Sequence, residues 1–258
     1  MRWFLWLRCY AENWSWRWLP LKRALCEWKI LMIIEAAEIQ GLANYIESME
    51  IAPLFGNKVL FRGQPVKGNL LPSVAREDKT KDTTDFEKYA LEQMRLIGSS
   101  LLSPKDEDDW HAIVKAQHHG LKTRCLDWTS NPMVALWFAC SNSSEIDSYV
   151  YMLVADRAAL PDKTKSPFEQ EHVCILQPNY ESPRVSAQHG WLTVHNYSNG
   201  QFTPLEDSED EQMWLCEYLI PQRIKAEILI SLDRCGINQS TIFPDLDGLC
   251  GYLNRKFT

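Results

Sequence analysis

A chain of 258 residues, 45% apolar and 24% charged, can bury a sizeable core and has ordinary globular composition. Its net charge of −7 argues against a nucleic-acid binder that works by bulk attraction, although a local basic cleft is compatible with it. No run of about 18 uncharged apolar residues is present, so no membrane-spanning helix is expected.

The eight cysteines lack zinc-knuckle or redox spacing and mostly sit in apolar runs, so reduced thiols, a cytoplasmic setting and no metal site are expected. Residues 1–31 hold six of the eleven Trp, with six Lys or Arg against two Glu. Such a segment can lie on a membrane surface or form a partner-binding arm. It can also fall outside the native domain, with translation starting at Met32. That last reading is favoured, because regular patterning starts only near Ile33, and it makes 32–258 the domain.

In chain order, Ile39, Leu42, Ile46 and Met49 predict a helix over 35–49. A short strand is expected from Lys58 into Phe61-Arg62-Gly63-Gln64. Thr84-Asp-Phe-Glu87 reads as a capping box, opening a helix whose stripe is Phe86, Tyr89, Ala90, Met94 and Ile97. The acidic run Asp106–Asp109 suits the start of the next helix, with Trp110, Ile113, Val114 and Gln117 inward and Gly120 as its stop. Asn131 is the expected cap, and Pro132 the first residue, of a buried helix to Cys140. Strands follow at Tyr149–Val154, Val173–Leu176, Trp191–His195 and Met213–Ile220. Residues 205–212 are expected to be an acidic solvated loop. An amphipathic helix is expected over Gln222–Arg234, and Asp245 caps a last one carrying Leu246, Leu249, Cys250 and Leu253. The result is a single α+β domain, helical in its first half and followed by a mixed or antiparallel sheet.

Residues 117–139 concentrate His118, His119, Thr123, Arg124, Asp127, Thr129 and Ser130 ahead of an apolar helix, as expected at a pocket lip. Each also has a structural reading. Arg124 and Asp127 can brace the loop as a pair, the histidines suit a helix C-terminus, and Thr129 and Ser130 can cap the next helix. His195 can be a base or a structural strand-end residue. Arg62 offers a planar fork for phosphate or carboxylate, and Gly63 beside it would let a ligand approach the backbone.

Phe61-Arg62-Gly63, Gln117-His118-x-Gly120, Thr123-Arg124-x-Leu126-Asp127-Trp128-Thr129, Ala187-Gln188-His-Gly190 and Phe243-Pro-Asp-Leu-Asp-Gly-Leu249 together resemble the FRG domain, a bacterial family. The similarity runs from about residue 40 to the C-terminus, with Cys125 and His119 as departures. A more distant similarity is to ADP-ribosyltransferases. There an aromatic-Arg-Gly strand is followed by a hydroxyl turn entering a helix, as Trp128-Thr129-Ser130 enters Val134–Ala139 here.

That resemblance implies an ADP-ribosyltransferase-like core with NAD as substrate. Arg62, Gly63 and Gln64 would hold its phosphates, with Thr123, Arg124, Asp127 and Ser130 completing the cofactor wall. His118, Thr129, Gln188 and Asp245 would stand at the chemistry. It also implies a defence or toxin effector, with a protein or nucleic-acid acceptor and an antitoxin partner. No Glu-x-Glu precedes a suitable strand. Gln188 stands where a carboxylate is expected, leaving Glu171, Glu217 and Asp245 for the anionic role. Two readings lead, an NAD-using transferase and a non-catalytic module binding a nucleotide or a protein; a hydrolase with His118 or His195 as base is a third, for which no convincing nucleophile elbow is evident. The two leading readings place Arg62, His118 and Thr129 in one concave pocket.

Overall fold

The computed structural model describes residues 37–49, 58–142, 145–155, 160–179, 182–208 and 213–257. The chain divides into residues 1–35 and 36–258, and everything below concerns the second unit. The Trp-rich segment and the boundary expected at Met32 lie outside the described residues.

A two-residue strand β1 (Ala37–Glu38) precedes helix α1 (Leu42–Met49). The expected single helix over 35–49 is thus a strand and a later helix, and its buried residue is Tyr45 while Ile46 is exposed. Strand β2 (Lys58–Gln64) leads to α2 (Thr84–Ile97) and α3 (Asp109–His118). Then come β3 (Cys125–Thr129) and α4 (Pro132–Cys140), which Asn131 caps by accepting the Met133 amide. The second half adds β4 (Ser148–Ala155), β5 (Cys174–Leu176), α5 (Pro183–Ala187) and β6 (Gly190–Val194). A hairpin of β7 (Tyr197–Ser198) and β8 (Gln201–Phe202) turns through Asn199 and Gly200, both at positive φ. The chain closes with β9 (Met213–Ile220), α6 (Lys225–Arg234), α7 (Gln239–Ile242) and α8 (Leu246–Phe257).

Seven strands form one sheet in the order β1-β9-β4-β2-β3-β6-β5, antiparallel except for the parallel pair β1–β9. The fold is α+β, as expected. No helix among the described residues is long and apolar enough to cross a membrane.

Side chains alternate across the sheet, and this places the candidate residues that lie on strands. One face packs Phe61, Val150, Met152 and Tyr218 under α4 and α6. The same face, further along, packs Cys125, Leu192 and Val194 under α3. The other face carries Leu60, Leu126, Trp128, Tyr151 and Trp191, packed with Leu70 and Leu205 from loops.

Two apolar stripes read from the sequence are corrected. On α2, Phe86, Tyr89 and Ile97 are exposed, while Glu87 and Leu91 point inward. On α8, Leu246, Leu249 and Leu253 are exposed as well. In both helices the buried side was set by what packs there, not by the apolar residues.

Candidate functional site

The cap of α2 is shifted by one residue from the expected box. Thr83 is the N-cap, and its hydroxyl donates to Glu87 Oε1 at 2.8 Å. Glu87 is buried because Arg124 is its partner. The Arg124 backbone amide and guanidinium both donate to it, Nη2 to Oε1 at 3.0 Å, and Nη2 also reaches the Thr84 hydroxyl. The guanidinium lies 4.6 Å from the Phe168 ring. Arg124 is 1% exposed. This buried pair fastens α2 to the start of β3, so Arg124 is a structural residue here and not part of a cofactor wall. The brace expected between Arg124 and Asp127 is replaced by Arg124–Glu87, because Asp127 points away.

Thr123 is also committed internally. Its hydroxyl donates to Gln117 Oε1 at 2.6 Å and accepts the Cys125 amide, and its backbone exchanges hydrogen bonds with Ser73. Gln117 in turn donates to Asp127 Oδ2 at 2.9 Å. Thr129 donates to the Gln188 carbonyl at 2.7 Å and accepts the Asn131 amide, a cap at the mouth of α4. Ser130 is exposed, and its amide bonds His189 O. Asp245 accepts the Gly248 amide as a helix cap.

Gly63 answers a different neighbour from the one its sequence context suggested. A Cβ there would stand 1.8 Å from the Ala135 carbonyl. The missing side chain admits helix α4 and not a ligand.

The expected convergence of Arg62, His118 and Thr129 does not occur. Phe61 pairs directly with Thr129, so these two share the α4 face, and Arg62, the next residue, points to the other face. Two groups result.

On the α4 face, His118, Asp127, Thr129 and Gln188 lie around α5. His118 Nε2 is 3.1 Å from the Ser182 hydroxyl. Burial is the main cause holding its pKa below the usual histidine value, helped by His119 and Arg184 and opposed by Asp127.

On the other face, Arg62, Tyr151 and Glu217 stand in register across β2, β4 and β9. Arg62 Nη1 donates to the Asp127 carbonyl at 2.7 Å and Nε to Gln64 Oε1 at 3.3 Å. Both acceptors are neutral. Desolvation draws its pKa down to about 10, Asp127 opposes, and Arg76 adds to the lowering. The guanidinium is therefore charged at neutral pH, fixed, and half-buried. Gln64 donates to Val66 O and Gly68 O, and the Gly68 amide donates to the Tyr151 hydroxyl. Glu217 pairs with Lys67 at 3.0 Å. Glu171 instead pairs with Lys165 in an exposed loop.

Sequence reasoning missed Tyr151, Arg76 and Ser182. Only strand register and loop closure bring them in, and no local pattern marks them. Among the described residues no group of three His, Cys, Asp or Glu could hold a metal ion. A cavity of about 170 Å³ is lined by Leu160, Asp162, Lys165, Gln170 and Glu171 among others; of the candidate residues only Glu171 reaches it.

An α+β protein with a seven-stranded, mostly antiparallel sheet and, on the face away from its α4 cover, an arginine whose hydrogen-bond acceptors among the described residues are neutral, is the class these features define. Residues 57–148, a little over a third of the chain, match the family model of the FRG domain. That stretch holds Arg62, Thr123, Arg124, Asp127 and Thr129, whereas the Gln188 and Phe243 blocks lie beyond it. No curated protein and no solved structure matches the chain.

Proposed function

We propose that this chain is a binding module whose Arg62 face takes the phosphate of a nucleotide. The observation that carries the reading is the state of Arg62. Its only hydrogen-bond partners among the described residues are a backbone carbonyl and an amide oxygen. Arg124, by contrast, is neutralised by Glu87. A fixed cation with neutral partners and a second arginine nearby favours an incoming anion, and the planar fork suits phosphate. NAD, ADP and inorganic pyrophosphate are the probes. Each should raise the melting temperature by mass action, and Arg62→Ala should abolish the rise while the protein stays folded. Arg62→Lys should restore it only in part. A wild-type protein whose melting is insensitive to all three at millimolar concentration contradicts the reading.

A transferase using NAD is the second reading. It is favoured by Glu217, which lies in the same cross-strand row as Arg62 and could face positive charge developing on a ribosyl group. Glu217→Gln should then keep the NAD-induced shift and lose nicotinamide release. The separation of Thr129 from Arg62 weighs against it. A defence or toxin role, an acceptor and an antitoxin partner rest on this second reading and fall with it.

A further inference from the structure

The contact between His118 and Ser182 lies on the opposite side of the sheet from Arg62 and plays no part in the reading above. Ser182 Oγ accepts the Arg184 amide at 3.2 Å as the cap of α5. A capping hydroxyl accepts through one of its two lone pairs and keeps its proton to donate. The acceptor within reach is His118 Nε2 at 3.1 Å. The two residues are 64 positions apart, so the pair is made by the docking of α5 beside the end of α3. Neither side chain is sealed: both are half-buried, and Asp127 beside them is exposed.

We propose that Ser182 and His118 form a nucleophile–base dyad for acyl transfer, acting on small carboxylic esters. The geometry meets the first requirement, a hydroxyl within hydrogen-bond reach of an imidazole nitrogen. Burial keeps the imidazole neutral at physiological pH, as a base must be. The charged and titratable groups acting on it are His119 and Arg184, which favour the neutral form, and Asp127, which opposes them.

Ser182 Oγ forms a bond to the ester carbonyl carbon while its proton passes to His118 Nε2. The carbon–alkoxide bond breaks and the alkoxide leaves with that proton as an alcohol. Water then attacks the acyl-serine, giving its proton to His118 Nε2, and Ser182 leaves and recovers a proton from the same nitrogen. The sum is ester and water to acid and alcohol. Arg184, whose guanidinium lies over the Phe243 ring at 4.6 Å and whose charge acts on His118, favours esters that carry a negative charge.

The test uses the full chain with a fluorophosphonate probe and with p-nitrophenyl acetate. Peptide mapping should place the phosphonyl group on Ser182. Ser182→Gly, which keeps an acceptable helix cap, should abolish labelling and ester turnover with an unchanged far-ultraviolet spectrum. His118→Ala should slow labelling at Ser182 by about 100-fold or more. Folded protein that is not labelled, labelling at another residue, or labelling at Ser182 unchanged by His118→Ala each overturns the proposal. Because Arg62 is not involved, failure here leaves the nucleotide reading standing, and the reverse holds.

Discussion

At the residue scale, Gly63 and His195 show how much a single position depends on its neighbours. Gly63→Ala would drive a methyl into the Ala135 carbonyl of α4. Backbone cannot yield as a flexible side chain can, so the expected loss is about 3 kcal/mol or more, read as a lower urea midpoint with an unchanged slope. A near-neutral result would mean that α4 does not press on β2. His195 is 1% exposed, with Nε2 near the Thr193 hydroxyl at 3.1 Å. Its Nδ1 faces the Thr203 backbone without a good hydrogen bond. Burial, with Arg124 and Arg62 nearby, pulls its pKa down from 6.5 to about 3. Below pH 6.5 the unfolded chain therefore binds a proton that the folded one refuses. Stability is full above that pH and should fall as pH drops toward 3, by up to about 1.4 kcal/mol per unit. His195→Gln should flatten that part of the stability–pH curve; an unchanged slope would show that His195 does not titrate this way.

At the element scale, helix α2 is held by one polar anchor as much as by its apolar side. Phe86, Tyr89 and Ile97 face solvent, while Glu87 reaches Thr83 and Arg124 inside. Removing one member of a buried pair leaves the other charge without a partner. Glu87→Ala should cost about 3–5 kcal/mol in chemical denaturation, far more than Phe86→Ala on the same helix. Comparable losses for both would place the exposed aromatic in the core. The boundaries of α2 and α4 were legible in the sequence because caps, proline and glycine act locally. Which side of α2 faces inward was not, because Arg124 is 37 residues away from Glu87 in the chain.

At the scale of the whole molecule, the sheet brings together strands from both ends of the described chain. Ala37 pairs with Tyr218, and Tyr151 is flanked by Arg62 and Glu217. The stretch matching the FRG model ends at residue 148, the first of β4, and lacks β6 and β9. A fragment of residues 57–148 would leave both β2 and β3 without their outer partners. It should show no cooperative thermal transition by circular dichroism, whereas the full chain should melt cooperatively. A cooperative melt of the fragment would mean that the family match marks an autonomous domain.

The sequence by itself determined the α+β class, most element positions and the residues that could carry chemistry, because periodicity, caps and turn residues act within a few positions. It identified Arg62, His118 and Thr129 as polar groups at element ends, but not their sides. Sidedness follows strand register, and Phe61 opposite Thr129 places Arg62 on the far face. Tertiary structure alone assigned Arg124 to Glu87 and Gly63 to helix α4, and it brought Ser182 to His118. Each of those decisions rests on contacts between residues far apart in the chain, where burial and register, which no local pattern encodes, select the partner.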